Sequence, residues 1–518
     1  MLNQPIVRNF NPAPARRRNG VNMKKLRVSE TVLVVLVLGF VTAASAQTYS
    51  VLDRFDGTDG HYPDSPLVQG TDGSLYGTTF YGGTNVGTVY QVLPTGALST
   101  LYNFCSRDLG CTDGWGPQGN LLLGANGNFY GTAQGGDYSA GTIFEITPTG
   151  TLTNLYSFCA LRNCADGEIP GQLVQGNDGN FYGTTSSGGR YNQGSFFKIT
   201  PAGKLTTLSY FKSSADYPNN GLMQASDGNF YGTNSVVVNA SAGAGSGVMV
   251  KLTPAGILST VHTFCAQGTP CSDGFFPLGT LLQANDGNLY GTAQAGGAHN
   301  AGTFFKINAS GKFTTLYNFC SQANCADGST PISGVLQASD GNFYGVTAYG
   351  GTGSNPNCNR QNCGTIYRIT PTGVLTTLYN FCLQGGKNCS DGLNPQDWSP
   401  SLMQATDGRI FGTTQIGGLD VCVEVAGCGT VYSLSLGLPP MIDALPNFGK
   451  AGQSVTILGD NLTGATAVSF NGVSAASFKV VSSTEIRAEV PTGATRGRIQ
   501  ATTPSGLLKS NLEFRVVP

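Results

Sequence analysis

The chain has 518 residues, enough for more than one domain, and it is rich in glycine and poor in charge. Glycine accounts for 74 residues, whereas charged side chains make up only 11% of the sequence. After residue 46 the chain carries 21 basic and 28 acidic residues, a net charge of −7, without any basic run. This composition excludes a typical nucleic-acid-binding protein, and it predicts a turn-rich β protein rather than a disordered chain.

The first 46 residues have the features of an export signal. Basic residues precede the apolar segment 31–41, and Ala44-Ser45-Ala46 supplies a small-residue cleavage site. The apolar segment is too short for a bilayer anchor, so we expect no transmembrane segment in the mature chain. We predict a signal peptide over residues 1–46, with Met23 as a candidate true start. The protein is therefore expected to be exported, to an extracellular, cell-surface or periplasmic location.

A phrase of the form D-G-N-F-Y-G-T recurs seven times in the rest of the chain. Its copies begin at positions 72, 126, 178, 227, 286, 340 and 407, so the spacing is 49 to 67 residues. Self-similarity at such a period predicts an array of supersecondary units, none of which buries its apolar face alone.

Each repeat reads as four short strands, as in the stretch from Leu281 to Phe319. An Asp-Gly turn joins the first two strands, a loop with Gly-Gly joins the middle two, and a turn of the Pro-Thr-Gly type joins the last two. Four antiparallel strands per repeat are typical of a propeller blade. A sandwich or a solenoid is the alternative.

The two ends of the array favour the propeller. The seventh repeat stops after Gly429–Leu434, before any fourth strand, whereas Tyr49–Phe55 at the start of the mature chain resembles the fourth strand Leu155–Phe158. Pairing these ends would close a ring and remove exposed sheet edges. The sequence therefore predicts an all-β fold, a seven-bladed β-propeller over residues 47–437 that is closed by the N-terminal strand.

Fourteen cysteines in an exported chain are expected to form disulfides. They fall into seven local pairs, and the fourth strands that end at Phe55 and Phe211 lack both members of the pair. Because the two cysteines of a pair are present together or absent together, we expect them to bond to each other. Zinc, the alternative, needs four converging ligands, and a ring of repeats would spread the pairs apart. The predicted disulfides are Cys105–Cys111, Cys159–Cys164, Cys265–Cys271, Cys320–Cys325, Cys358–Cys363, Cys382–Cys389 and Cys422–Cys428.

The phrase D-G-x-x-P recurs in the crossovers between repeats, at the loop-rich end of the predicted blades. Its aspartates could form a calcium ring or supply catalytic carboxylates, but their repetition favours a role in building turns. Its variable positions carry side chains that suit stacking on sugar rings or docking a protein loop, with packing against the next blade as the other interpretation. The candidate ligand-binding residues are His61, Tyr62, Trp115, Tyr217, Phe275 and Phe276.

No catalytic residue can be assigned from motifs. The chain has no G-x-S-x-G, no H-E-x-x-H and no P-loop. Paired carboxylates can nevertheless come from distant loops. The unrepeated acids to consider are Glu168, Asp137, Asp420 and Glu424.

Residues 438–518 lack both cysteine and the repeat phrase, and they read as about seven short strands of a small antiparallel sandwich. The tail carries Gly449-x-x-Gly452-x-x-Val455-Thr456-Ile457 and Val468-x-Phe470-Asn471-Gly472. In these residues it resembles the IPT/TIG domain, which has an immunoglobulin-like fold. The resemblance implies an extracellular spacer or binding module without catalysis.

The repeats, over about residues 49–436, resemble the GloVer tandem-repeat family of exported bacterial proteins. The similarity rests on D-G-N-F-Y-G-T, on the Gly-Gly…Gly-Thr loop and on phrases such as Ile143–Gly150 followed by Leu155–Phe158. This resemblance implies surface display and leaves the biochemical function largely unassigned.

These features together predict a secreted or surface-exposed, non-enzymatic binding and scaffold protein. The loop face would bind a glycan or a cell-envelope protein, and the tail would act as a spacer. One alternative is a secreted polysaccharide-active hydrolase or lyase, and another is a purely structural cell-envelope protein. No cofactor, metal or nucleic-acid partner is expected, and the chain is expected to be a monomer.

Overall fold

The computed structural model describes residues 47–517, apart from 64, 85, 107–109, 214–220, 236–246, 269, 359–361, 394–401 and 423–426. The predicted signal peptide lies outside this range. No helix within the described range has the length and hydropathy of a membrane span. The described residues form β-strands, turns and a few single-turn 3-10 helices, so the fold is all-β.

The strand β1 (Thr48–Arg54) precedes three antiparallel sheets of four or five strands. These sheets consist of β2 (His61–Pro63), β3 (Val68–Gln69), β4 (Leu75–Tyr81), β5 (Thr88–Val92) and β6 (Leu98–Asn103); of β7 (Trp115–Leu123), β8 (Phe129–Gln134), β9 (Thr142–Ile146) and β10 (Leu152–Ser157); and of β11 (Glu168–Pro170), β12 (Val174–Gln175), β13 (Phe181–Ser187), β14 (Ser195–Ile199) and β15 (Leu205–Tyr210).

Four further sheets follow in the same pattern, and neighbouring strands within each follow chain order. Their strands are β16 (Leu222–Gln224), β17 (Phe230–Asn234), β18 (Val248–Leu252) and β19 (Leu258–Thr263); β20 (Leu282–Gln283), β21 (Leu289–Ala293), β22 (Thr303–Ile307) and β23 (Phe313–Asn318); β24 (Ser329–Pro331), β25 (Leu336–Gln337), β26 (Phe343–Tyr349), β27 (Thr365–Ile369) and β28 (Leu375–Asn380); and β29 (Met403–Gln404), β30 (Ile410–Thr414) and β31 (Thr430–Ser435).

The fourth strand of the seventh sheet is β1, as the sequence predicts. It pairs antiparallel with β31, in a register that runs from Thr48 opposite Ser435 to Arg54 opposite Thr430. This pair has a register shift between Val51 and Asp53, and every other pair of third and fourth strands carries a shift in the same part of the ladder. The first strand of the chain therefore has the geometry of a fourth strand that belongs to the last repeat.

The Phe-Tyr dipeptide of the repeat phrase joins neighbouring sheets. Tyr76 packs on Phe129 of the next sheet, with ring centroids 4.3 Å apart, and Tyr130 packs on Phe181 at the same distance. The glycine that follows makes room for a third-strand ring, because a Cβ at Gly291 would lie 2.7 Å from Phe305 Cζ. Each repeat thus supplies one side of its interface with the preceding repeat and one side of its interface with the following repeat. This explains why no repeat buries its core alone.

The last sheet also packs against the first. Phe411 and Val431 share a buried cluster with Leu75 and Tyr90. The backbone N–H of Thr406 donates to Gln69 Oε1 at 2.9 Å, in the same way that Ser339 N–H donates to Gln404 Oε1 between the sixth and seventh sheets. The sheets therefore succeed one another with the last in contact with the first, an arrangement of the β-propeller type.

The C-terminal sandwich, residues 441–517, contains ten short strands. One four-stranded sheet packs against a second, and the core between them includes Ile457, Phe470, Ile486 and Ile499, all fully buried. The strands are β32 (Asp443–Leu445), β33 (Phe448–Gly449), β34 (Ser454–Leu458), β35 (Ala467–Phe470), β36 (Val473–Ser474), β37 (Phe478–Val480), β38 (Glu485–Glu489), β39 (Ile499–Thr503), β40 (Gly506–Lys509) and β41 (Arg515–Val516).

The sandwich has more strands than the seven expected from sequence. Two of the missed strands, β33 and β36, contain only two residues each. In β40 only Leu508 is buried, so apolar and polar residues do not alternate there. Such segments give no periodic signal from which a strand can be predicted.

All seven predicted disulfides are present and join neighbours five to seven residues apart. Single-turn 3-10 helices lie within two of these loops, at Arg162–Cys164 and Ala323–Cys325, and a third, Pro356–Cys358, ends where the Cys358–Cys363 loop begins. Each disulfide closes a loop at the sheet ends opposite the Asp-Gly turns. The loop end of the repeats is therefore covalently reinforced.

Candidate functional site

The aspartates of the D-G-x-x-P phrase build the crossovers at the loop end. Four of them, Asp113, Asp166, Asp327 and Asp391, are buried, and each accepts a backbone N–H from its own loop. In five crossovers, these four and that of Asp273, an aromatic residue of the preceding fourth strand also hydrogen-bonds the carboxylate: Tyr102 to Asp113 at 2.6 Å, Tyr156 to Asp166 at 2.8 Å, His262 to Asp273 at 3.0 Å, Tyr317 to Asp327 at 2.6 Å and Tyr379 to Asp391 at 2.7 Å. These contacts fix each carboxylate within its own loop, so they support the turn-building interpretation, although Asp113 Oδ1 and Asp391 Oδ1 are buried without a donor among the described residues.

The first repeat departs from this pattern at Asp59. Its fourth-strand partner position is occupied by Asp53, so Asp59 instead accepts the backbone N–H of Asp56 at 2.9 Å. Burial, together with the nearby carboxylates of Asp56 and Asp53, raises the pKa of Asp59 to about 6. The pKa of Asp56 is lowered, mainly because the Thr58 hydroxyl donates to its carboxylate at 2.6 Å. The pKa values of these two neighbouring carboxyl groups at the loop end are thus shifted in opposite directions.

The titration of Asp59 predicts a pH-dependent stability. In the unfolded chain an aspartate titrates near 3.9, so between that value and about 6 the folded chain holds a proton that the unfolded chain has lost. The stability contribution is therefore full below about 4 and is lost as the pH rises to about 6. Asp59→Asn keeps the acceptor oxygen, and it should raise the melting temperature at pH 7.5 while changing it little at pH 4.

Asp56→Asn is the matched control for this pH effect. Because the folded-state pKa of Asp56 is lowered, its carboxylate stabilises the fold above about pH 4. Its replacement should lower the melting temperature at pH 7.5. Melting curves of both variants and the parent chain between pH 4 and 8 decide the point, and a shift of the same sign for the two variants would contradict the assignment.

An aromatic patch lies beside Asp59 and consists of His61, Tyr62, Phe80 and Tyr81. The His61 ring stacks on Tyr81 at 5.5 Å, while Tyr62 meets Tyr81 edge-on at 5.8 Å and Phe80 meets it edge-on at 4.6 Å. The antiparallel pairing of β2 with β4 places His61 directly opposite Tyr81. Tyr81 is 45% exposed and the other three are partly exposed. The patch therefore presents ring faces and edges to solvent.

Trp115 adjoins this patch from the second sheet. A Cβ at the next residue, Gly116, would lie 3.1 Å from the Phe80 ring, so the backbone of β7 rests against the patch. The N–H of Gly116 also donates to Val86 O at 2.7 Å, which ties the second sheet to the first. Trp115 itself is partly exposed. Three of the six predicted residues, His61, Tyr62 and Trp115, thus lie on adjacent sheets.

The other predicted residues do not join this group. Phe275 and Phe276 contact each other at 5.0 Å on the fifth sheet, which is not a neighbour of the first or second sheet. Both are partly exposed. Tyr217 lies outside the described residues. Phe80 and Tyr81 were not predicted from the sequence. The available signal was that two consecutive aromatic residues at the end of β4 interrupt the alternation of apolar and polar residues expected in a half-exposed strand.

The second variable position of the D-G-x-x-P phrase has an unexpected backbone conformation. Tyr62, Ile169, Phe276 and Thr330 all have φ between 56° and 60°, in the left-handed region. This conformation is costly for Ile and Thr, whose branched Cβ crowds the backbone. Three of them donate their N–H to a carbonyl of the preceding sheet, Tyr62 to Cys428, Ile169 to Ala140 and Thr330 to Ala301. These hydrogen bonds between sheets hold the strained residues in place.

The unrepeated acids are scattered over the loop end. Asp137 accepts the Ser157 hydroxyl at 2.9 Å on the second sheet, and Glu168 accepts the Ser187 hydroxyl at 3.2 Å on the third. Asp420 forms an exposed ion pair with Lys387 at 2.7 Å, which lowers the pKa of Asp420. Glu424 lies outside the described residues. Each of the three described acids has its own local partner, so none of them identifies a pair of catalytic carboxylates.

Two groups of described residues bring possible metal ligands close together. One consists of the sulfurs of Cys358, Cys363 and Cys389, and the other of Cys159, Cys164 and the Glu168 carboxylate. Every cysteine in them belongs to a disulfide. A metal binds the thiolate form of cysteine, so these clusters do not fit a zinc site.

The C-terminal sandwich packs against the opposite, short-turn end of the repeats. Thr484 donates its hydroxyl to Thr71 O at 2.7 Å, and Met441 N–H donates to Thr406 O at 2.8 Å. Leu458 of the sandwich shares an apolar cluster with Leu123, which replaces the glutamine found at this position in the other six repeats. The sandwich therefore docks on the repeats, where sequence reasoning expected a spacer, and leaves the loop end to solvent.

Two family models match the chain. Residues 39–244 and 169–418 match the Gloeobacter/Verrucomicrobia repeat, and residues 440–516 match the IPT/TIG domain. No protein with a curated description matches the sequence.

Among solved structures, the chain is similar to an ulvan lyase from a new family of polysaccharide lyases, bound to -[GlcA(1-4)Rha3S]- (10% identity, TM-score 0.43, 72% of this chain and 94% of that chain). It is also similar to the α-L-arabinanase of Penicillium chrysogenum complexed with arabinobiose (13%, 0.38, 58% and 94%). A third similar structure is a protein of unknown function from Bacteroides thetaiotaomicron VPI-5482 (13%, 0.39, 75% and 76%). Identities and TM-scores this low assign neither an activity nor a substrate.

The repeat model covers well over half of the sequence, and the residues that carry it are those that join the sheets. The Tyr and Phe of the repeat phrase form the contacts between sheets, and its Asp-Gly forms the turns. The chain belongs to the Gloeobacter/Verrucomicrobia repeat family and carries a C-terminal IPT/TIG domain.

Proposed function

We propose that the protein is an exported glycan-binding protein, built as a closed seven-bladed β-propeller over residues 47–437 and an IPT/TIG domain over 438–518. The pairing of β1 with β31 and the contact between the last and first sheets support the closed ring. Seven disulfides support export, since such bonds persist in oxidising compartments.

The observation that carries the proposal is the aromatic patch at the loop end. His61, Tyr62 and Tyr81 combine ring faces with polar tips, and such side chains pack on the C–H faces of a sugar while hydrogen-bonding its hydroxyl groups. Because the IPT/TIG domain occupies the short-turn end, the loop end is the face that remains for a partner. Loops on a rigid scaffold are the usual place for binding residues.

A glycan array probed with the mature chain tests this function. Tyr62→Ala and Trp115→Ala should each weaken binding to the glycans found by at least about tenfold, because each removes about 1.4 kcal/mol of ring contact. Tyr138→Ala is the matched control, since Tyr138 is 56% exposed in the β8–β9 loop outside the patch. Binding that survives both patch variants, or an array without any bound glycan, would contradict the proposal.

Glycan cleavage is the second candidate, and one specific observation favours it. Asp59 and Asp56 lie beside the aromatic patch, and their surroundings push their pKa values apart. A carboxyl that holds its proton near pH 6 suits a general acid, and an ionised neighbour suits a base or nucleophile. Release of reducing ends from a bound glycan, abolished in Asp59→Asn, would favour cleavage. Binding without release would leave the binding function alone.

A further inference from the structure

A chamber lies on the axis of the repeats, between their first strands and the IPT/TIG domain. It has two connected parts of about 440 and 370 Å³, which share Pro66, Asn120, Leu122, Asp443, Leu445 and Leu512 in their walls. Every one of the seven sheets contributes first-strand residues to these walls. The size falls within the range of about 300–1,000 Å³ that is usual for small-molecule sites.

Gln172 of the third sheet reaches past the fourth sheet to the fifth, on the side of the chamber toward the loop end. Its Oε1 lies 3.5 Å from the Thr280 hydroxyl of the fifth sheet. A Cβ at Gly221 of the fourth sheet would lie 2.6 Å from the same oxygen, so glycine there makes room for the amide. Gln172 thus forms part of the chamber wall on that side, and the chamber belongs to the end that the IPT/TIG domain covers.

Two amide oxygens in the chamber wall are buried without a hydrogen-bond donor among the described residues. They are Asn120 Oδ1, from the second sheet, and Asn511 Oδ1, from the IPT/TIG domain. Asn511 is only 7% exposed, and its amide nitrogen donates to Gln337 O at 2.6 Å, which fixes the orientation of the side chain. Buried acceptors are costly unless a donor reaches them. The chamber is thus suited to a molecule that brings hydroxyl donors.

Arg515 adds a positive charge to the same walls. Its guanidinium donates to Ala225 O at 3.3 Å and to Asn447 Oδ1 at 3.2 Å, both neutral acceptors. Within the described part of the chain no carboxylate forms an ion pair with it. The one carboxyl in the walls, Asp443, accepts its own neighbour's N–H at 2.9 Å, and burial raises its pKa to about 6. Arg515 therefore has no carboxylate counter-ion among the described residues, and an anionic group on a ligand would supply one.

We infer that the chamber binds a small sugar acid, a compound with several hydroxyl groups and one carboxylate. The carboxylate lies against Arg515, and hydroxyl groups donate to Asn120 Oδ1 and Asn511 Oδ1. The apolar face of the sugar packs on Leu122, Leu445 and Leu512, which line the same space. The site is formed by both domains, so it exists only in the intact chain.

Calorimetric titration of the intact mature chain with D-galacturonate, and with D-galactose as the neutral counterpart, tests the inference. Galacturonate should bind at least tenfold more tightly than galactose. Arg515→Gln should abolish this difference, and Asn120→Leu should weaken galacturonate binding about tenfold. Absence of galacturonate binding, or equal binding of the two sugars by the parent chain, would overturn the inference.

Two leucine substitutions separate the chamber from other surfaces. Leu512→Trp fills the chamber and should abolish binding, whereas Leu507→Trp places the same ring on the outer strand β40, where the leucine is 52% exposed, and should leave binding unchanged. If Leu512→Trp does not fold, the effect of Asn120→Leu on galacturonate binding tests the chamber assignment instead. Tyr62→Ala should not affect galacturonate binding, so failure of the glycan-binding function and failure of this inference are distinguishable. Galacturonate binding that is lost in Tyr62→Ala would overturn the chamber assignment.

Discussion

A mature chain that lacks residues 47–57 is expected to lose its cooperative thermal unfolding or to melt at a much lower temperature. The deletion removes β1, whose register with β31 spans Thr48 to Arg54, and it leaves β31 as an open edge. It also removes Phe55, which is fully buried between the last and first sheets. Loss of a buried phenylalanine alone costs about 3–5 kcal/mol. Such losses are a large share of the about 5–15 kcal/mol by which domains are stable.

A synthetic peptide of residues 47–57 provides the measurement. Added to the truncated chain, it should pair with β31 and restore the melting temperature in a concentration-dependent way, because an added strand stabilises an open edge by mass action. A truncated chain that melts like the parent, and that the peptide does not affect, would contradict the role of β1.

A point variant gives the same test with less disruption. Tyr49 stacks on Tyr379 at 3.8 Å, packs against Tyr432 at 5.2 Å and donates its hydroxyl to Asp391 O at 2.6 Å. Tyr49→Ala should therefore destabilise the chain by about 3–5 kcal/mol, whereas Tyr138→Ala, at an exposed tyrosine, should change stability by less than about 0.5 kcal/mol. Equal effects of the two variants would show that β1 is not held in the last sheet.

Reduction of the disulfides is expected to have the second large effect. Each one closes a loop of five to seven residues, and in the chain-entropy model a loop of that size stabilises by about 2 kcal/mol. Seven together approach about 15 kcal/mol, as much as the whole stability of an ordinary domain. The fully reduced chain should therefore unfold at a temperature tens of degrees below that of the oxidised chain, or fail to refold.

The order of reduction should follow burial. Cys159–Cys164 and Cys320–Cys325 are partly exposed, whereas Cys358 and Cys363 are fully buried. Alkylation and mass-spectrometric mapping during mild reduction should detect the first two pairs before the last. Without reductant, the denatured protein should show no free thiol among the fourteen cysteines. Several free thiols, or a reduced chain that melts like the oxidised one, would contradict this account.

The architecture of a single repeat could be predicted because its determinants are local. The Asp-Gly turn, the Tyr of D-G-N-F-Y-G-T and the paired cysteines act within a few residues of each other along the chain. The displaced strand around Val51 was also recognisable, because it keeps the pattern of a fourth strand. Its register shift at Val51 and Asp53 repeats the shift of every other fourth strand.

The contacts between repeats were not predictable in the same way. The hydrogen bond from Thr406 to Gln69 joins residues 337 positions apart, and nothing in either residue alone indicates the partner. The docking of the IPT/TIG domain depends on Leu123 and Leu458, and a single leucine at the end of a strand does not by itself indicate its partner. The departure of Leu123 from the glutamine of the other repeats was the available signal.

The candidate site could be predicted in part. His61, Tyr62 and Trp115 were identified from the variable positions of one phrase, and the structure places them on adjacent sheets. The ring of Tyr81 was missed, because its role depends on the pairing of β2 with β4. The chamber could not be predicted at all, since it arises only where two domains meet.

The strand β1 completes the last sheet by pairing with β31. Cysteines introduced as Thr48→Cys and Ser435→Cys would stand directly opposite each other on β1 and β31. Peptide mapping under non-reducing conditions should then find residues 48 and 435 joined in most molecules, while the control Ser209→Cys with Ser435→Cys, on distant sheets, should yield no such link. A chain in which residue 48 remains unlinked to residue 435, while the native disulfides form, would contradict the account.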